Sequence, residues 1–136
     1  MKIEPYIHMN GQAENAIGFY QQALNAKLEM LMRFSESPEP IPLDQIPAEY
    51  MNRIMHASLV IGEARLMLSD GGCMTGRTMG GFSLSIQYST EAEARHAFNA
   101  LANAGTIDMP IGPTFWSPCF GMVTDPFGVQ WMVTTA

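Results

Sequence analysis

The stretch Thr114–Thr135, T-F-W-S-P-C-F-G-M-V-T-D-P-F-G-V-Q-W-M-V-T-T, predicts two strands joined by a tight turn. The turn is expected at Asp125–Gly128, because proline presets one backbone angle and glycine adopts the positive angle that a turn requires. Beyond it, two sets of side chains alternate: Val129, Trp131 and Val133 on one face, and Gln130, Met132 and Thr134 on the other. The alternation predicts a last strand with an apolar face toward a core and a mixed face toward another environment.

The chain ahead of this hairpin repeats one order of elements. Alternation and helical spacing predict strands at 3–10, 27–34, 53–61 and 64–69 with a helix at 13–25 in the first half. The second half has predicted strands at 82–88 and 106–114 and a helix that Thr90 caps and Gly105 ends. Strand–helix–strand–strand–strand therefore occurs twice, and the segment around Leu28-Glu29-Met30 aligns with Ile107-Asp108-Met109. The repeat predicts two βαβββ modules.

Two segments separate these elements. Residues 35–51 hold four prolines, which argues for a long surface loop, a kind of segment that often serves as a lid. Residues 71–80 are rich in glycine and predict a linker. We therefore expect a single domain at 1–136, with module 1 at about 1–70, the linker at about 71–80 and module 2 at about 81–136.

Composition limits the partners. The chain has 136 residues and a formal net charge of −6, which disfavours nucleic acid as a partner. No apolar run approaches the roughly 20 residues that span a membrane, and the N-terminus does not resemble a signal peptide. Cys73 and Cys119 form no C-x-x-C motif, so we expect a reduced, cytoplasmic protein without membrane partners.

Motifs spread over nearly the whole chain carry a resemblance to a known family. They are Pro5-Tyr6-Ile7, Ala16-Ile17-Gly18-Phe19-Tyr20, Met55-His56-Ala57, Leu66-Met67-Leu68-Ser69-Asp70, Thr114-Phe115-Trp116, Phe120-Gly121, Asp125-Pro126-Phe127-Gly128 and Trp131-Met132. The chain resembles the PhnB-like branch of the vicinal oxygen chelate superfamily, which includes glyoxalase, bleomycin-resistance and dioxygenase proteins. The resemblance implies an α+β fold in which two βαβββ modules form paired, incompletely closed sheets around a cleft. It also implies a homodimer.

Metal enzymes of the superfamily take His and Glu ligands from the sheets, and those positions can be carried over by resemblance. They fall at Glu4 or Pro5, at Met67, at Ser83 or its neighbour Phe82, and at Met132. A divalent metal needs three or four nitrogen or oxygen donors, and a thioether is a poor ligand for zinc, nickel, iron or manganese. We therefore expect no metal and no other cofactor, with a divalent metal as the alternative.

Several other residues are candidates for a site. His8 and His56 are weak candidates for acid–base catalysis, since histidine titrates near neutrality, although structural hydrogen bonds explain them at least as well. His96 is expected at the surface, Trp131 in the core and Cys119 as an inert thiol. The candidate ligand-binding residues are Tyr6, His8, His56, Met67, Ser83, Gln87, Trp116 and Met132.

Three functions are compatible with these residues. The first is a metal-free protein that binds a small molecule in a cleft lined by aromatic and methionine side chains. The second is a metal-dependent lyase, transferase or dioxygenase, which would need Glu4, His8 and His56 to converge; Glu4 and His8 lie about 13 Å apart along one strand. The third is a metal-free enzyme with His8 or His56 as its acid or base. We rank binding first and leave open whether the protein is an enzyme.

Overall fold

A computed structural model describes residues 1–39, 48–71 and 78–136. The contacts within the chain form two compact units, Met1–Arg77 and Thr78–Ala136, which we call module 1 and module 2. Each contains one four-stranded mixed sheet and one α-helix, so the predicted α+β architecture of two βαβββ modules is confirmed. The cleft expected between the modules stays a prediction.

Module 1 contains the strands β1 (Tyr6–His8), β2 (Lys27–Arg33), β3 (Ile54–Ile61) and β4 (Ala64–Ser69) and the helix α1 (Ala13–Leu24). Single turns of 3₁₀-helix lie at Phe34–Glu36 and Ala48–Tyr50. The strand order is β1-β4-β3-β2, with β1 parallel to β4 and the other pairs antiparallel. Buried residues of α1 include Ile17, Tyr20 and Leu24, which pack on the sheet as the predicted apolar stripe requires.

Module 2 repeats this topology with β5 (Leu84–Tyr88), α2 (Glu91–Ala102), β6 (Thr106–Gly112), β7 (Phe120–Thr124) and β8 (Gln130–Thr135). Its strand order, β5-β8-β7-β6, matches that of module 1 strand for strand. Thr90 accepts a hydrogen bond from the Glu93 amide, which confirms the predicted N-cap.

The closing hairpin forms as the sequence predicts. Thr124 pairs with Gln130, and the Asp125 amide donates to the Val129 carbonyl at 2.8 Å. Gly128 adopts φ 91°, which explains why glycine occupies this turn position. Trp131 is 3% exposed and its indole donates to Asp125 Oδ2 at 2.9 Å, so the prediction of Trp131 as a core residue is confirmed.

Two local predictions are wrong. The first strand covers only Tyr6–His8, and Ile3 is 93% exposed, because β1 pairs with β4 over three residues alone. The end of α2 does not use Gly105 as its left-handed residue: Ala104 adopts φ 62° instead. Gly105 is required for another reason, since a Cβ there would lie 2.3 Å from the Thr124 carbonyl oxygen.

Two segment predictions lie partly outside the described residues. The proposed loop at 35–51 includes 40–47, and the proposed linker at 71–80 includes 72–77 and therefore Cys73. The described ends of the loop form the two 3₁₀ turns. Among the described residues, no helix is long and apolar enough to cross a membrane.

Candidate functional site

Most of the candidate residues lie on the sheet face opposite the helix in each module. In module 1, Ile7, Leu66 and Leu68 are buried on the helix side, whereas Tyr6 and Met67 point away from it. In module 2, Trp131 and Val133 are buried, while their alternating neighbours remain partly exposed. We call the second side of each sheet its open face. The alternation of a half-buried strand positions these side chains.

The open face of module 1 carries a row of register partners. Tyr6 pairs with Met67 across β1 and β4, Met67 with Ser58, and Ser58 with Met30. Tyr6 is 43% exposed and Met30 is 39% exposed. The row therefore presents one aromatic ring and two thioethers, a surface that can adapt to an apolar ligand.

Tyr6, His8 and His56 form a cluster at one end of this row. The Tyr6 hydroxyl lies 3.1 Å from His56 Nδ1, a hydrogen-bonding distance whose direction depends on the imidazole tautomer. The ring centroids of Tyr6 and His8 lie 5.4 Å apart, and those of Tyr6 and His56 lie 5.5 Å apart. The structure thus brings together three predicted site residues beside Met67.

A line of charged residues crosses the same face beside this row, on the side away from His8 and His56. Arg65 on β4 forms ion pairs with Glu4 at 3.3 Å and with Glu29 at 3.0 Å, and Ser58 donates to Glu29. Glu29 reaches this face because the pairing of β2 with β3 shifts between Leu28 and Met30. The hydrogen bonds from Arg65 hold the pKa of the Glu29 carboxyl below its ordinary value.

The open face of module 2 carries a corresponding row of three methionines. Ser85 pairs with Met132, Met132 with Met122, and Met122 with Met109. All three methionines are partly exposed. This row matches the row of module 1 strand for strand, so Met132 occupies the position of Met67.

The polar residues also correspond between the modules. A register shift between Ile107 and Met109 brings Asp108 onto the open face, as happens at Glu29. Asp108 Oδ2 accepts hydrogen bonds from the Thr124 hydroxyl at 2.6 Å and from Gln130 Nε2 at 3.2 Å. Ser83 in turn donates to Gln130. Module 2 therefore has a hydroxyl, an amide and a carboxylate where module 1 has Glu4, Arg65 and Glu29.

Sequence reasoning missed Asp108 and the ion pairs of Glu29 as elements of a site. The repeat that aligns Glu29 with Asp108 was the available signal. Alternation alone places either residue incorrectly, since a bulge changes the side-chain direction that a regular strand would give.

The loop between β6 and β7 presents two aromatic rings. Trp116 is 54% exposed and packs edge-to-face on Phe120 with ring centroids 5.3 Å apart; Phe115 packs on Trp116 at 4.7 Å. Buried Ser117 fixes the loop: its hydroxyl accepts from the Cys119 amide at 3.2 Å and lies 2.8 Å from the Thr135 carbonyl oxygen. Trp116 is thus held at the edge of the open face.

The remaining predicted residues take simpler positions. Gln87 pairs with Thr134 on the open face of module 2. His96 is exposed on α2, and Cys119 is fully buried, which is consistent with an inert thiol. The eight candidate ligand-binding residues fall into two groups, one per module: Tyr6, His8, His56 and Met67, and Ser83, Gln87, Trp116 and Met132.

The residues at the superfamily's metal positions do not fit a divalent ion. Glu4 is ion-paired with Arg65, Met67 and Met132 supply thioethers, and Ser83 donates to Gln130. The register partners of Met67 are Tyr6 and Ser58, and neither is a carboxylate. Across residues 1–39, 48–71 and 78–136, no three His, Cys, Asp or Glu side chains are grouped so that they could hold a metal.

Comparison with known proteins places this geometry in a family. The profile of the Glyoxalase/Bleomycin resistance protein/Dioxygenase superfamily matches residues 2–133. Protein YjdN of Escherichia coli is 33% identical, over 98% of this chain and 94% of its own length.

Solved structures support the same assignment. Protein PA1353 of Pseudomonas aeruginosa superposes with a TM-score of 0.86 at 41% identity, over 99% of this chain and 97% of that one. A Bacillus cereus PhnB protein, described as a putative 3-demethylubiquinone-9 3-methyltransferase, gives a TM-score of 0.81 at 27% identity over the full length of both chains. The chain belongs to the Glyoxalase/Bleomycin resistance protein/Dioxygenase superfamily, as a member of its PhnB-like branch.

Proposed function

We propose that this protein binds a small organic molecule on the open faces of its sheets without the help of a metal ion. One observation carries the proposal: thioethers, Met67 and Met132, occupy two of the positions where the resemblance places metal ligands, and aromatic side chains lie on the same open faces. Met67 lies beside Tyr6, and Met132 lies in a row with Met122 and Met109. Such surfaces bind apolar ligands through contact area and polarizability.

The ligand-binding residues of this proposal are the two groups of the sequence prediction. Tyr6, His8, His56 and Met67 supply an aromatic and imidazole surface in module 1. Trp116, Met132, Ser83 and Gln87 supply an aromatic ring, a thioether and polar groups in module 2. The homodimer and the cytoplasmic location belong to the same proposal, and size-exclusion chromatography with light scattering tests the former.

Binding of aromatic compounds to metal-free protein tests the proposal. Protein dialysed against EDTA is titrated with uncharged, cationic and anionic aromatic compounds, including N-acetyl-dansylcadaverine, while melting temperature and dansyl fluorescence are recorded. We expect at least one compound to bind and to raise the melting temperature. Failure of the whole panel to bind would refute the proposal.

A pair of variants locates the binding. Trp116→Ala removes a half-exposed ring that packs on the open face, and we expect it to weaken binding about tenfold, equivalent to about 1.4 kcal/mol. Ile3→Ala removes an apolar side chain that is 93% exposed at the N-terminus, and we expect it to leave the affinity unchanged. Equal effects of the two variants would contradict binding at this face.

A second candidate function rests on the hydrogen bond between the Tyr6 hydroxyl and His56 Nδ1 at 3.1 Å. A phenol paired with an imidazole can pass a proton to or from a bound molecule, so the cluster suits a metal-free enzyme with His56 or His8 as acid or base. Mass spectrometry of each bound compound over time tests this function. Conversion by wild type that His56→Ala abolishes would support catalysis, whereas unchanged compounds support binding alone.

A further inference from the structure

The class of ligand can be inferred in addition to the proposed function, on which this step rests. The open face of module 2 carries a carboxylate at one end and aromatic rings at the other, and both features select a ligand. We propose that this face binds an elongated organic cation, with its aromatic part against Trp116 and Phe120 and its cationic group at Asp108. The methionine row between these two ends forms the floor on which the ligand lies.

The charge argument starts from the composition of module 2. Residues 78–136 contain one Lys or Arg side chain, Arg95, and four acidic side chains, Glu91, Glu93, Asp108 and Asp125. Arg95 pairs with Glu91 on α2, and Asp125 is buried at the hairpin turn. Asp108 is therefore the only carboxylate that module 2 places on its open face.

Asp108 differs from its counterpart in module 1 in one respect. Glu29 has a cationic partner, Arg65, which it shares with Glu4, whereas Asp108 accepts hydrogen bonds from the neutral groups of Thr124 and Gln130. Among the ion pairs of the described residues, none includes Asp108. Its charge is uncompensated within the module and is oriented by two donors, an arrangement that attracts a ligand cation.

The aromatic end lies at a defined distance from this carboxylate. Phe120 and Thr124 are the first and last residues of β7, both on the open face, and Thr124 contacts Asp108 directly. Four residues along a strand span about 13 Å. Between them, Met122 and its register partners Met109 and Met132 cover the face. A ligand that reaches both ends needs a flat ring and a cation separated by roughly this length.

Matched dansyl compounds test the charge preference. Dansylcadaverine joins a naphthalene ring to an ammonium through a flexible chain of suitable length. N-acetyl-dansylcadaverine removes the charge, and dansyl-6-aminohexanoate reverses it. We expect the cation to bind about threefold more tightly than the acetylated compound, a preference within the range of an exposed ion pair. We also expect the preference to fall as salt is added.

The variant Asp108→Asn separates charge from structure. It keeps an oxygen that can accept from Thr124 and Gln130, so we expect it to abolish the preference for dansylcadaverine while the affinity for the acetylated compound stays unchanged. Glu63→Gln removes one negative charge from the exposed hairpin turn of module 1 and controls for net charge. We expect it to leave the preference intact.

The outcomes distinguish this inference from the proposed function. Equal binding of all three compounds, or an equal loss of affinity for all three in Asp108→Asn, would overturn the cation preference and leave small-molecule binding in place. Preference for the anion would do the same. Absence of binding by all three, together with the rest of the aromatic panel, would overturn both.

Discussion

Substitution of Asp70 should destabilise module 1 more than any comparable change on its surface. Asp70 is 1% exposed, and its carboxylate accepts hydrogen bonds from three backbone amides: Gly11 at 2.8 Å, Ala13 at 3.1 Å and Ile54 at 3.1 Å. It therefore joins the end of β4 to the start of α1 and the start of β3.

The size of the effect follows from the donors that would lose their acceptor. Asp70→Ala leaves three buried N–H groups without a hydrogen-bond acceptor, and each unsatisfied group costs about 1–3 kcal/mol. Relaxation and entry of water reduce the sum, so we expect a loss of about 3–5 kcal/mol, a large part of a typical total stability. Asp70→Asn keeps one acceptor oxygen but places an NH₂ group against an amide donor, and we expect a loss of about 2 kcal/mol.

Urea unfolding at pH 7, followed by far-UV circular dichroism, measures these losses. Tryptophan fluorescence provides a separate signal from module 2, since both tryptophans, Trp116 and Trp131, lie there. Glu63→Gln in the exposed hairpin is the control and should stay within about 0.5 kcal/mol of wild type. A loss below about 1 kcal/mol for Asp70→Ala would refute the argument that the three amide donors depend on the Asp70 carboxylate.

Three further predictions concern other parts of the molecule. Gly121→Ala should cost about 2 kcal/mol or more in urea unfolding, because its Cβ would lie 2.8 Å from the Cα of Ile111; wild-type stability would contradict this packing. Glu29→Gln should alter the pH dependence of unfolding: Arg65 lowers the pKa of Glu29 in the folded state, so the stabilisation is present above the ordinary pKa of 4.5 and is lost as pH falls through the lowered value. The stability advantage of wild type over this variant should therefore shrink from pH 6 to pH 3, and a constant difference would argue against the ion pair. Ser117→Ala should cost about 2 kcal/mol and increase acrylamide quenching of tryptophan fluorescence, since the loop loses a buried hydrogen-bonding centre; unchanged quenching would show that the loop is held by other contacts.

The sequence predicts the features that depend on local patterns. Alternation after Gly128 predicts the buried side of β8, and the Thr90 cap predicts the start of α2, since both depend on residues within a few positions of each other. The repeat of element order predicts two sheets of the same topology, which depends on no single residue.

Features that depend on non-local register are not predicted in the same way. The contacts of Glu29 with Arg65 and of Asp108 with Gln130 require strands distant in sequence to pair with a bulge at one position. Similarly, Gly105 is read from sequence as a helix terminator, whereas its requirement comes from the Thr124 carbonyl oxygen on β7. The sequence thus predicts which side chains are candidates for the site. It does not predict the hydrogen bonds and ion pairs between them.

Metal independence is the central claim, and one measurement tests it most directly. The affinity for N-acetyl-dansylcadaverine and dansylcadaverine is measured by fluorescence titration on EDTA-dialysed protein and again after loading with nickel, zinc, manganese or iron(II), with the metal content determined by elemental mass spectrometry. We predict the same dissociation constants in every sample and no stoichiometric metal after a second dialysis. Binding that appears only in protein with one retained metal ion per chain would contradict the account.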